Sequence, residues 1–429
     1  MVGLTTLYAV TFLGIITSIL LILNQRLIKT HTSVSLMLSA IGISIILLFI
    51  ENFGLGGEWL SKETIESLIT GIDFPNLLMN WVLPLMLFAG ALKFDIADLV
   101  KNGWAIGTLA TVGVLVASLI VGVALWLLAL IIGLPIDFLY CILFGALIVP
   151  TDPVAVSSVL RKVGVRKSLE AKIVGESLFN DGASVVLFLA LLAATSEETS
   201  LSFGGYILLP FVEIGGAAII GLLLGIIANW LLRNTDNLMT ELIITISLVW
   251  LGTAIANGLT AHFGLGPNMP LTVVVMGLFL SNHNRKHPLS WNMRTNLNKL
   301  WVLIDEILTT ALFVFMGLLL IIIPFHTSFI VAGIIMSAVV LGARYVSVKY
   351  TMIGLEKHNL QTFSSGSLPV LVWGGMRGAI SFAMAMMLPA GPAREALIAI
   401  TFIVVVISVI AQGLTMEKVI NWSGVRSSE

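Results

Sequence analysis

The sequence predicts an all-α polytopic membrane protein of about thirteen transmembrane helices, arranged as inverted six-helix repeats with two discontinuous crossing helices. Three observations predict it. Of the 429 residues, 58% are hydrophobic and 10% charged, against ~25% charged in an ordinary soluble domain; the mean hydropathy is +1.05. A window of ~19 residues finds bilayer-length apolar runs from end to end. Two of these runs are interrupted near their middles, at Pro150-Thr151-Asp152-Pro153 and at Gly374-Gly375-Met376-Arg377-Gly378.

Taken in order, the spans centre near Ile15, Ser44, Met86, Leu115, Ala146, Leu187, Leu222, Leu248, Val275, Phe315, Met336, Ala383 and Val404. The first, Leu4 to Leu23, has no Lys or Arg before it, so it lacks the basic start of a secretory signal and reads as a retained span. Between spans two and three, Glu51 to Asn80 holds Glu51, Glu58, Glu63, Glu66 and Asp73 against Lys62, an external loop with a short amphipathic helix. Loop charge sets the orientation, because cytoplasmic loops hold the excess of Lys and Arg. Of 22 basic residues, 18 fall in the odd-numbered loops and the C-terminus, from Arg26 and Lys29 to Lys418 and Arg426. Only Lys62 and Arg394 fall on the other side, which predicts an external N-terminus and a cytoplasmic C-terminus. Trp81, Trp104, Trp230 and Trp301 sit near span ends, as interfacial belts do.

Composition also excludes several functions. A net charge of -1 with no basic tract bearing interleaved aromatics argues against nucleic-acid binding. The single cysteine, Cys141, forbids an intramolecular disulfide. The six histidines lie between spans or at their ends, which argues against a membrane metal site, and no cofactor is expected.

The sixth span is the most informative. Gly175-Glu176-Ser177-Leu178-Phe179-Asn180-Asp181-Gly182 places two carboxylates inside an apolar run from Ile173 to Ala194. An ionised group near the bilayer centre costs at least ~2.5 to 3.5 kcal/mol on insertion scales, and it persists mainly along ion or proton pathways. On a helix Glu176, Ser177, Asn180, Asp181 and Ser184 share one face, within ~140° of arc. The fifth span breaks at Pro150 and Pro153, because proline removes backbone donors and drives the residue before it out of helix. The freed carbonyls, Thr151 and Asp152 are then available to a cation. The twelfth span breaks at its glycines and carries Arg377. If spans one to six and eight to thirteen are repeats, these two breaks correspond, and a displacement of seven spans inverts one against the other. Arg344, in the eleventh span, requires a carboxylate partner. Glu176 is assigned to it as a structural ion pair, with Arg377 nearer the breaks to compensate Asp152 or half-helix carbonyls, although the partners are exchangeable. Asp181 is then the carboxylate without a permanent countercharge. Glu213 and Asp305-Glu306 carry a weaker signal. Glu213 lies toward the outer end of its span and reads as a solvated funnel group, and Gly221-Leu222-Leu223-Leu224-Gly225 reads as close helix packing.

These motifs, with Ala343-Arg344, Gly374-Gly375-Met376-Arg377-Gly378-Ala379 and Leu87-Phe88-Ala89-Gly90, resemble the electroneutral monovalent cation/proton antiporters, the NhaP-type and NHE-type sodium/proton exchangers. The resemblance covers essentially the whole chain. It implies a core domain (104-195 and 328-417) that moves against dimerisation helices (1-95 and 205-323), and a homodimer. It also implies a bacterial inner-membrane location and a cation/proton site at Asp181 with Asp152, Thr151, Ser177 and Asn180. One Na+ (or Li+) would exchange for one H+ by competition for Asp181, with hard cations taking oxygen ligands from Asp181, Thr151 and Ser177. Asn180 bears on stoichiometry, since electrogenic relatives have a second Asp there. K+/H+ exchange is the alternative. From other classes, an intramembrane aspartyl protease would resemble Tyr-Asp and Gly-X-Gly-Asp patterns, where this chain has Thr151-Asp152 and Asn180-Asp181, and a channel would not require broken inverted helices.

Overall fold

In the computed structural model, residues 2–24, 26, 32–52, 73–152, 156–157, 159–160, 163–195, 203–233, 235, 237–264, 266–283 and 291–425 are described. The amphipathic helix expected in the acidic loop falls mainly on 53–72, outside the described residues. So do Pro153 and the loop cations Lys29, Lys62, Arg161, Lys162, Arg285, Lys286 and Arg426.

The regular structure of the described residues is almost entirely helical. Its helices are α1 (Val2–Leu23), α2 (Thr32–Asn52), α3 (Phe74–Lys93), α4 (Ile96–Ile132), α5 (Phe138–Ile148), α6 (Lys167–Ala193) and α7 (Phe203–Leu232). There follow α8 (Leu238–Phe263), α9 (Met269–His283), α10 (Trp291–Leu318) and α11 (Thr327–Lys357). The last are α12 (Ser367–Trp373), α13 (Ala379–Met386) and α14 (Pro392–Ser423). Among the described residues, 8 helices are long and apolar enough to cross a membrane, an all-α polytopic architecture.

Local sequence explains the ends that matter. Asp73 caps the start of α3, accepting from the Asn76 backbone N at 3.3 Å. The polar stretch read as loop to Asn80 therefore turns helical at Phe74, because a cap satisfies an N–H that would otherwise be orphaned. Gly133, at φ +71°, closes α4 in the left-handed conformation that glycine adopts without a Cβ clash. α5 stops at Ile148, directly before Val149-Pro150, and α12 stops at Trp373, before Gly374.

Packing is closest where glycine faces backbone. A Cβ on Gly145 of α5 would lie 2.1 Å from the Ser118 carbonyl of α4, and one on Gly221 of α7 would lie 2.5 Å from the Thr272 carbonyl of α9. The second contact is the expected small-residue packing, and Gly225 continues it against Phe279. α4, α5 and α6 pack on one another and on α11, α13 and α14, α12 packs on α11 and α14, and α3 packs on α8, α9 and α10.

Trp301 departs from the interfacial reading. Its side chain is fully buried, donates Nε1–H to Thr245 Oγ1 at 3.2 Å, and meets Phe88 edge-on with ring centroids 4.8 Å apart. Position near a span end suggested a belt, but α10 turns this face toward α3 and α8, and the partnered N–H makes burial affordable. Trp81, Trp104 and Trp230 are exposed.

Candidate functional site

The two interrupted segments meet. Residues 149–152 and 375–378 are both non-helical, and the Asp152 backbone N donates to the Met376 carbonyl at 2.8 Å. The approach requires glycine, because a Cβ on Gly378 would lie 2.9 Å from Asp152 Cβ and one on Gly375 would lie 2.7 Å from Arg344 Nε. Interrupted backbone inside a membrane protein needs partners for its freed carbonyls. Arg377 supplies them on one side, donating through Nη1 to the Val149 carbonyl and, at 3.4 Å, to that of Pro150. On the other side Arg344 Nη2 donates to Leu371 O at 3.1 Å and Gln412 Nε2 donates to Trp373 O at 3.2 Å.

Helix α6 lies across this crossing with Glu176, Ser177, Asn180, Asp181 and Ser184 all buried. Arg344 grips Glu176 bidentately, Nη1 to Oε1 and Nη2 to Oε2, the latter at 2.6 Å. The planar fork matches the carboxylate, the geometry in which a buried pair holds together best. One turn further on, Asn180 Nδ2 donates to Thr151 Oγ1 at 2.8 Å, and Thr151 Oγ1 and Ser177 Oγ share a hydrogen bond of 2.9 Å. Asn180, Ser177 and Thr151 thus tie α6 to the first break. Asp181 is 3% exposed, and its Oδ1 has no hydrogen-bond partner among the described residues. Asp152 borders the same crossing, half-buried.

The structure therefore brings Asp181, Ser177, Asn180, Thr151 and Asp152 to one crossing, with Glu176, Arg344 and Arg377 around it. Two further residues join them that sequence reasoning passed over. Ser408 Oγ accepts the Arg377 backbone N–H at 3.0 Å and donates to Gln412 Oε1. Both stand on a π-helical turn of α14, Ser408–Gln412, and such turns are frequent at functional sites because they re-aim side chains. Their signal was an i, i+4 polar pair in an apolar span.

Glu213 also departs from expectation. It is 8% exposed, and its Oε2 accepts from Asn268 Nδ2 at 3.4 Å. The approach of the 266–268 segment to α7 closes over it, which position along the span alone did not reveal. Asp305 is buried too and forms a 2.7 Å ion pair with Lys93.

Two broken helices in backbone contact, a neutralised Glu–Arg pair and a second buried carboxylate with an open oxygen define a secondary ion transporter, a carrier and not an enzyme. Comparison gives the particular family. Residues 11–422 match the model of the family described as "Sodium/hydrogen exchanger, transmembrane", and the chain belongs to that family. It is 36% identical over 409 residues to the Na+/H+ antiporter NhaP of Pseudomonas aeruginosa, covering 95% of this chain and 94% of that protein. It is 31% identical over 371 residues to the Na+/H+ antiporter NhaH of Halobacillus aidingensis, covering 84% and 87%. The fold is that of the sodium proton antiporter MjNhaP1 from Methanocaldococcus jannaschii, with a TM-score of 0.77 at 19% identity over 98% of this chain and 99% of that one. The activity is thus secondary active exchange of Na+ (or Li+) for H+.

Proposed function

We propose that Asp181 is the carboxylate that carries Na+ (or Li+) and H+ in turn, one for one, and that this makes the exchange electroneutral. A single carboxylate holding either monovalent ion has the same charge in both loaded forms, so the carrier crosses without net current. The observation that carries this reading is the contrast within α6, where Glu176 is bidentately neutralised while Asp181 Oδ1 is buried and open. Asp152, Thr151 and Ser177 offer the oxygen ligands that alkali cations prefer. Asn180, occupied in holding Thr151, adds no second charge.

In the same reading the chain has thirteen spans in inverted repeats, and residues 104-195 and 328-417 move against 1-95 and 205-323 within a homodimer. The N-terminus is outside and the C-terminus cytoplasmic, in a bacterial inner membrane. Arg377 and Arg344 hold the breaks together as the core moves. The backbone bond between Asp152 and Met376 supports a core that moves as one body.

The test is Asp181→Asn in everted vesicles, with fluorescence dequenching scanned over Na+, Li+ and K+ against pH. Exchange is expected to vanish while the protein elutes as a folded species, and full cation-dependent proton movement in the variant would refute the assignment. In proteoliposomes of the native protein, flux that responds strongly to an imposed voltage would sink the one-to-one stoichiometry. Because proton and cation compete, the apparent KM for Na+ should rise as pH falls, by at most about tenfold per pH unit for a single proton.

A further inference from the structure

Outside the crossing, the buried acid Glu213 has no assigned role. Glu213 lies on α7, 8% exposed, and no Lys or Arg pairs with it among the described residues. It starts ten residues into α7 and Asp181 stands twelve residues before the end of α6, so at ~1.5 Å per residue both lie roughly 15 to 18 Å from helix ends joined by the same loop. A carboxylate at that depth is costly unless it serves an ion path.

Its partner points to the path. Asn268 belongs to the non-helical 266–268 segment before α9, and such backbone at membrane depth occurs where it is buried in protein or lines a cavity. Asn268 is 4% exposed and held to Glu213 twice. Its backbone N donates to the Glu213 carbonyl at 3.0 Å, and its Nδ2 donates to the Glu213 carboxylate at 3.4 Å. With Nδ2 committed there, Oδ1 turns the other way, accepts the Leu271 N–H at 3.0 Å and faces α6. A Cβ on Gly182 would lie 3.4 Å from that oxygen, and Gly182 directly follows Asp181. A continuous run of contacts therefore joins Glu213 to the residue beside the ion-carrying acid.

We propose that Glu213 and Asn268 form a second cation-binding station on the α7–α9 side of the molecule, where a partly hydrated alkali cation pauses before Asp181 takes it. The inference rests on the reading of Asp181 as the ion carrier. Glu213 supplies the negative charge, Asn268 Oδ1, turned away from it, the neutral oxygen nearest α6, and Gly182 the close approach of α6 to that oxygen. An architectural role predicts something different, because glutamine at 213 still accepts from Asn268 Nδ2.

The experiment is Na+/H+ exchange by full-length protein in proteoliposomes, with Glu213→Gln, Glu213→Asp, Asn268→Ser and Asp181→Asn side by side and each checked for folding by its thermal transition. E213Q is expected to raise the apparent KM for Na+ by about five- to tenfold with kcat within about twofold, and E213D to restore most of the native KM. N268S keeps a residue able to cap α9 but loses the oriented amide, and it should raise KM in the same way; it decides the matter if E213Q does not fold. A native KM in folded E213Q, or in N268S, would overturn the station. Exchange surviving in D181N would instead overturn the Asp181 reading beneath it.

Discussion

The helices around the crossing and those around Trp301 face the same problem, polar groups in an apolar surrounding, and handle it in opposite ways. Around Trp301 the polar side chains are tied across helices, Trp301 to Thr245 and Asp305, whose Oδ1 is itself without a hydrogen-bond partner among the described residues, to the countercharge of Lys93, and a Cβ on Gly277 of α9 would lie 2.8 Å from that of Ala91. Around the crossing, backbone is left unpaired by proline and glycine, two arginines are spent on carbonyl ends, and one carboxylate oxygen stays open. The first region ties its buried acid to a countercharge. The second holds an acid in reserve, as the reading of Asp181 as the ion carrier requires.

Breaking that contrast should have graded effects. Glu176→Gln strands Arg344 without a counterion and should cost about 3 to 5 kcal/mol of stability, seen as loss of folded protein in detergent; a variant with native thermal stability would remove the Glu176–Arg344 pair from the scaffold. Gly378→Ala drives a methyl into Asp152 and should separate the two breaks, lowering exchange by more than about tenfold with the protein still folded. Normal exchange there would mean that the crossing tolerates separation. Ser177→Ala removes one hydroxyl from the Thr151 pair and should weaken Na+ by about 1 kcal/mol, roughly fivefold in KM; equal KM values would drop Ser177 from the ligand set. Lys93→Met has the smallest expected effect on exchange. It should cost about 1 to 3 kcal/mol of stability, since the lysine is partly exposed but buried Asp305 loses its partner, and leave exchange unchanged, so a transport defect would blur the boundary between the two regions.

Much of this was legible in the sequence, for reasons that are local. Pro150 and the run of glycines from Gly374 announce the breaks because φ restriction and missing donors act on the residues themselves. The shared face of Glu176, Asn180 and Asp181 follows from helical period alone. Other features needed a neighbour. Trp301 near a span end looked interfacial until α3 and α8 covered it. Glu213 looked solvated until Asn268, 55 residues away, closed over it, and Ser408 and Gln412 acquired meaning only beside Arg377 and Trp373.

By itself the sequence determined that this chain lives in a membrane, where it must break its helices, and which residues must repay a cost there. Hydropathy, proline geometry and the expense of buried charge act over a single span and need no fold. Which of the two arginines meets Glu176, an assignment to Arg344 that the sequence left exchangeable, was decided only by tertiary structure. Arg344 and Glu176 stand 168 residues apart, and a charge buried in protein is governed by what packs within a few ångströms of it.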